Sequence, residues 1–242
     1  TEFELSSHQM FIRNFMSFQT PYNSLLLFHG LGTGKTCSSI NVCEEMRTYF
    51  NQLNIKKKII IVAQPNVQEN YKIQLFDESK LKLINGSWNL KSCTGNKFLK
   101  EINPMNMKGL SKEKVVYQIK KIIKESYLFM GHQQFANKIG SLINKYKNDP
   151  DGKKKKIQAI QKQFSNTLLV IDEVHNVRNV EGLSTKAFKK TSQNYLDLVK
   201  YSNNMKLLLL TATPMFNDHI EIIWLLNLMN LNDNRFEVNV NE

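Results

Sequence analysis

The sequence predicts an α/β fold: a mostly parallel central sheet with helices on both faces, three layers in all. Three observations lead there. Five short apolar runs, at Leu25–Phe28, Ile59–Ala63, Tyr127–Met130, Leu168–Ile171 and Leu207–Leu210, are continuous rather than alternating, the pattern of strands buried on both faces. Each gives way to glycine, proline or polar residues and then to a segment of helical periodicity, so strands and helices alternate along the chain. The 242 residues, 41% of them apolar, are enough to surround one large core or two small ones.

Taken in order, residues 4–18 read ELSSHQMFIRNFMSF, where Ser6 or Ser7 can cap a helix whose apolar face is Phe11, Ile12, Phe15 and Met16. Gln9 lies on that helix, and its amide donates and accepts at once, which suits the N6 and N7 edge of adenine. Thr20-Pro21-Tyr22-Asn23 then turns the chain into the first strand. That strand stops at Gly30-Leu31-Gly32-Thr33-Gly34 and runs on into Lys35-Thr36 at the start of a helix. Glycines let successive N–H groups converge on one anion, and the helix start adds a partial positive charge. Such a loop cradles phosphates: Lys35 would reach the β- and γ-phosphates of a nucleoside triphosphate and the Thr36 hydroxyl would ligate Mg²⁺. The strict pattern asks for glycine where this chain has His29, so the match is to the Gly-Lys-Thr core.

The second strand ends at Gln64-Pro65-Asn66. Pro65 and Asn66 therefore stand at a strand's carboxyl end, where open α/β sheets place ligand-contacting loops and where nucleic acid could be touched. A plain strand-to-helix connection explains them equally well. Residues 79–111 lack periodicity, contain Gly86, Gly95, Pro104 and Gly109, and read as an irregular surface insertion whose basic character runs to about residue 125. A helix resumes at about Ser111, with Val115, Val116, Ile119, Ile122 and Ile123 on one face. After Tyr127–Met130 comes a helix bearing Phe135, Ile139 and Leu142. Residues 148–156, closing on Lys153, Lys154, Lys155 and Lys156, read as a turn with a charged tip.

The fourth apolar run leads directly into Asp172-Glu173-Val174-His175. An acid pair at a strand end, in a chain with a phosphate loop, suits metal-assisted phosphoanhydride hydrolysis: Asp172 holds Mg²⁺ through water and Glu173 positions and deprotonates the attacking water. After a helix near 184–202, the last strand ends in Thr211-Ala212-Thr213-Pro214, whose hydroxyls can bond the acid pair and sense a γ-phosphate. A final helix near 219–229 adds to the core.

Net charge is +12, and its placement matters more than its size. Residues 91–162 carry 17 lysines against five acids, so this block holds all the excess charge and the remainder is balanced. The plain reading is a solvated surface; the functional one is a footprint for a phosphate backbone. No apolar run is long enough for a transmembrane helix, and the N-terminus lacks a signal-peptide core, so no membrane partner is expected. Cys37, Cys43 and Cys93 have no ligand-like spacing and are expected as reduced thiols.

The order glutamine helix, GTGKT, Pro-Asn turn, DEVH and TATP resembles the first RecA-like lobe of superfamily 2 DExH-box helicases and translocating ATPases, over nearly the whole chain. The wording PYNSLLLFHGLGTGKTCSSI, DEVHNVRN and LLLLTATPMFND is most similar to ATPases of nucleocytoplasmic large DNA viruses, of the early-transcription-factor small-subunit and DNA-dependent nucleoside triphosphatase kinds. The resemblance implies ATP and Mg²⁺ as cofactors, with the roles given above for Gln9, Lys35, Thr36, Asp172, Glu173, Thr211 and Thr213. It adds a coupling role for His175 and backbone contacts to nucleic acid from Gln64–Asn66 and from the stretch opened by His132 and Gln133. It further implies DNA as the preferred track with RNA as an alternative, RNA polymerase or a transcription-factor subunit as partner, and action in the host cytoplasm, in viral factories, with the virion as an alternative. Helicases of this kind close a second RecA-like lobe over the nucleotide; the expectation is that residues 1–242 are the first lobe of a longer protein. Two other readings share these motifs: a nucleotide-dependent scaffold that docks onto a viral polymerase, and an RNA helicase lobe.

Overall fold

The computed structural model describes residues 6–28, 34–105, 107–177, 185–214 and 220–238, with the side chains of 185–190 left aside. The chain runs α1 (Ser7–Phe15), β1 (Ser24–Phe28), α2 (Lys35–Gln52), β2 (Ile59–Val62), α3 (Pro65–Leu75), β3 (Leu81–Ile84), β4 (Ser87–Leu90), α4 (Lys97–Ile102), α5 (Lys112–Ser126), β5 (Tyr127–Met130), α6 (His132–Asn144), α7 (Gly152–Phe164), β6 (Leu168–Ile171), α8 (Thr185–Tyr201), β7 (Lys206–Thr211) and α9 (Ile220–Asn232). Five strands form one sheet in the order β1-β7-β6-β2-β5, and every pairing in it is parallel. The expected α/β architecture with a mostly parallel central sheet is therefore present.

The continuous apolar strands are explained by their two neighbours. Successive side chains on a strand point to opposite faces. Ile59, Ile61, Leu168, Val170, Leu208 and Leu210 join one core, which α1 to α5 complete. Ile60, Val62, Leu169, Ile171, Leu207 and Leu209 join a second, covered by α6 to α9. With both faces occupied, every position of β2 and β6 and the inner positions 207–210 of β7 are apolar. The parallel register aligns the strand ends: Phe28 lies opposite Thr211, Ile171 opposite Leu209, and Val62 opposite both Ile171 and Met130. The residues that follow each strand thus meet along one edge of the sheet.

Three expectations need correction. Residues 79–111 are not irregular throughout: β3 and β4 pair as an antiparallel hairpin followed by α4, and Asn85 and Gly86 at its turn both take positive φ, at 52° and 80°. Leu81, Leu90, Phe98 and Leu99 bury their side chains in the core shared with α2, so the insertion is packed onto the lobe. Aperiodic sequence missed it because two four-residue strands and a six-residue helix are too short for periodicity to register. Second, Lys153–Lys156 belong to the opening turns of α7 rather than to a turn and tip. Third, the cysteines are not all thiols. Cys37 and Cys93 form a disulfide, with Cα atoms 5.4 Å apart, while Cys43 is free and buried. The 56-residue separation gave no sequence signal; only the docking of the insertion beside α2 brings them together.

Candidate active site

The aligned strand ends gather the residues singled out from the sequence. Gly34 has φ 78°, in the left-handed region that favours glycine, and precedes α2; a Cβ there would lie 3.1 Å from the Gln9 side-chain nitrogen, so the Gln9 amide packs close against it. The rest of the expected phosphate loop, Gly30, Leu31, Gly32 and Thr33, lies outside the described residues. Gln9 is buried at 9% exposure, and its side-chain oxygen accepts from the Ser6 N–H at 3.2 Å. Its oxygen is thus engaged in capping α1 while its nitrogen faces Gly34.

Lys35 and Thr36 open α2, where the unpaired N–H groups of the first turn and the helix dipole favour an anion. The Lys35 ammonium lies 3.4 Å from Glu173 Oε1, across 138 positions of sequence. Asp172, at the end of β6, is buried at 6% exposure, and its backbone N–H bonds the Val62 carbonyl at 2.9 Å. Burial pushes its carboxyl pKa upward and the neighbouring Glu173 charge adds to this; the Tyr71 hydroxyl, the Glu173 backbone N–H and the Lys35 ammonium pull the other way. Tyr71 is fully buried in α3 and its hydroxyl lies 2.9 Å from the Ser39 hydroxyl of α2. Neither Tyr71 nor Ser39 carries a motif in the sequence; their place beside Asp172 follows from the packing of α2 on α3.

Glu173 adopts a left-handed backbone, φ 47°, unusual for a residue with a Cβ. Its Oε2 accepts from the Ala212 N–H at 3.4 Å and lies 3.4 Å from His175 Nδ1. His175 Nδ1 in turn lies 3.1 Å from the Thr211 hydroxyl and 3.3 Å from that of Thr213, and the Thr213 N–H donates to the Thr211 hydroxyl at 3.0 Å. One connected set of polar contacts therefore runs from Lys35 through Glu173 and His175 to the end of β7. Two adjacent carboxylates stand near one ammonium here, an excess of negative charge, and Asp172 together with the Thr36 hydroxyl at the start of α2 are the groups that could hold a divalent cation.

The expected nucleic-acid contacts divide. Gln64, Pro65 and Asn66 are exposed at the start of α3, and Gln133 is exposed on α6, where it donates to Asn137 at 2.8 Å. His132 is not available as expected: it is buried at 8% exposure, and burial lowers its pKa to about 4 although the Asp172 backbone pulls the other way. Lys155 pairs with Asp149 at 2.6 Å and Lys156 with Asp197 at 2.8 Å, while Lys153 and Lys154 are exposed, with no ion pair among the described residues.

Comparison with known proteins places the chain in a family. The chain is 28% identical over 236 residues to a protein of Acanthamoeba polyphaga mimivirus named "Putative ATP-dependent RNA helicase", covering 95% of this chain and 33% of that one. It is 29% identical over 234 residues to "Putative helicase 087L" of Invertebrate iridescent virus 3, covering 93% and 20%. It is 22% identical over 272 residues to "Early transcription factor large subunit homolog" of African swine fever virus, covering 93% and 23%. That relative carries the large-subunit name, where the sequence wording had suggested the small subunit. The chain spans a third or less of the length of these relatives. The family model described as "Type III restriction enzyme, res subunit" matches residues 2–216, and the chain belongs to this helicase family.

Proposed function

We propose that this chain is the ATP-binding lobe of a DNA-directed helicase or translocase that hydrolyses ATP with Mg²⁺ in viral transcription. The observation that carries this is the meeting of Lys35 and Glu173 at 3.4 Å beside buried Asp172. In this reading the loop 30–34, Lys35 and the start of α2 bind the triphosphate, and Gln9 lies toward the adenine. Thr36 and Asp172 would hold Mg²⁺, which when bound screens charge on the phosphoryl oxygens. Glu173 exchanges its ion pair with Lys35 for a bond to the attacking water, and His175 with Thr211 and Thr213 reports that exchange to the end of β7. The name of the African swine fever virus relative supports a role in transcription and hence DNA, while the mimivirus relative's name supports RNA.

A second lobe in the longer protein would complete the site, since arginines supplied to a transferring phosphoryl group are worth about 10³-fold or more in rate. In the full-length protein, Glu173→Gln should keep ATP affinity and lose turnover by about 10²-fold or more, and Lys35→Ala should lose ATP binding. Equilibrium nucleotide binding and steady-state hydrolysis on double- and single-stranded DNA and RNA check both. Normal turnover by Glu173→Gln removes its assignment as base. Nucleotide binding without hydrolysis by the wild type, with retained polymerase binding, would favour the scaffold reading.

A further inference from the structure

On the face covered by α1 to α5, toward the strand ends where β2 and β5 begin, α3 and α5 leave a groove of about 540 Å³ beside β5. It lies away from the strand ends that carry Asp172, Glu173 and Thr211. Its lining is apolar where it is deep: Phe76 is buried, while Ile123, Leu128 and Phe129 are part-exposed and Ile73 is 50% exposed. Four lysines line it as well, Lys58, Lys72, Lys120 and Lys124, and no acid does.

The floor of the groove is a sheet edge. β5 pairs with β2 alone among the described strands. The Met130 carbonyl accepts from the Ala63 N–H and so faces β2; strand alternation then turns the N–H and carbonyl of Phe129 outward. An open edge of this kind is a template for a further strand.

We propose that this groove docks an extended segment of a partner protein whose apolar side chains alternate with acidic ones. The backbone of that segment adds to β5 at Phe129, its apolar side chains cover Ile73 and Phe129, and its carboxylates meet the lysine rim. Charge complementarity selects this occupant. The existing partners of the rim are exposed surface pairs, Lys72 with Glu69 and Lys120 with Glu78, which are worth little and exchange readily. Among the described residues Lys124 has no acidic partner, the neighbouring Glu125 being paired with Lys121. Nucleic acid fits less well, because the Lys72 ammonium already sits 5.6 Å over the Phe129 ring, covering the face on which a base would stack.

The test uses the full-length protein and a fluorescein-labelled decapeptide in which valine and leucine alternate with aspartate, read by fluorescence anisotropy at low salt. Saturable binding is expected, weakened at least tenfold by Lys58→Glu with Lys124→Glu and at least tenfold by Ile73→Asp. Lys153→Glu with Lys154→Glu makes the same charge change on α7 and is expected to leave binding within twofold. A peptide with serine for aspartate is expected to bind at least tenfold more weakly, and amide exchange at Phe129 is expected to slow on binding. Equal weakening by the α7 pair, unchanged exchange at Phe129, or displacement of the peptide by a single-stranded oligonucleotide acting at the groove would overturn the proposal.

Discussion

Glu173 shows how much a single backbone angle can arrange. Its left-handed φ aims one carboxylate oxygen at Lys35 and the other at the Ala212 N–H, a conformation that costs on the order of 1 kcal/mol or more and persists only because its surroundings over-determine it. His132 shows the converse, a buried polar side chain whose desolvation outweighs the favourable approach of the Asp172 backbone and the Glu173 charge. Its pKa of about 4 in the folded state lies below the usual value of 6.5, so as pH falls the unfolded chain takes up the proton first. The stability that His132 permits is full above about pH 6.5 and is lost on descent towards pH 4. We expect a loss of about 2 kcal/mol by pH 5 from this group. Urea unfolding at pH 7 and pH 5 should show that difference in the wild type and lack it in His132→Leu; an equal drop in both would show that His132 is not the source.

At the scale of elements, α2 is the member that joins the nucleotide site to the insertion. Its N-terminal turn bears Lys35, Thr36 and the disulfide from Cys37 to Cys93, and its middle bears a buried ionic cluster. Arg47 bonds Glu44 at 2.8 Å, with both side chains 3% exposed, and reaches Glu101 of α4 at 2.7 Å. Tyr127 of β5 donates to Glu44 at 2.5 Å, and the Lys97 ammonium of α4 donates to the Glu44 backbone carbonyl at 2.6 Å. Burial alone would lower the Arg47 pKa, but Glu44 and Glu101 outweigh it and hold the guanidinium charged. Removing one partner leaves the other charge buried and uncompensated. Arg47→Met should therefore cost about 3–5 kcal/mol, and adding Glu44→Gln to it should recover a large part of that loss. Chemical denaturation of the two variants checks this; a double variant no more stable than Arg47→Met would show that packing, not charge, governs the site.

For the whole molecule, the charge distribution of the folded chain differs from that of the sequence. The block 91–162 carries the full net +12, yet part of it is neutralised inside the fold: Lys155 and Lys156 are paired with acids, and Lys97 is turned into the ionic cluster. If α7 contacts a phosphate backbone, Lys153 and Lys154 make that contact. Replacing both with alanine should lower the slope of log affinity against log salt by about 2, whereas replacing Lys155 and Lys156 should alter it by less than about 1. Titrations of the full-length protein with DNA across a range of salt measure both slopes. Slopes that respond equally to the two pairs would place the contact elsewhere on the basic face.

The apolar runs and the order of motifs were legible in the sequence because each is local. A strand buried on both faces must be apolar throughout, and a phosphate loop must place glycine, lysine and threonine within a few positions. The β3–β4 hairpin was not legible, since eight residues carry too little periodicity, nor was the burial of His132, which depends on what α6 packs against. The pairing of Cys37 with Cys93 and the approach of Tyr71 to Asp172 were hidden for a related reason: no spacing rule links positions brought together by two helices. The sequence by itself determined the candidates for the chemistry and that they stand at strand ends or helix starts. Only the tertiary structure decided which of those ends adjoin, because strand order is set by how the two cores close around the sheet.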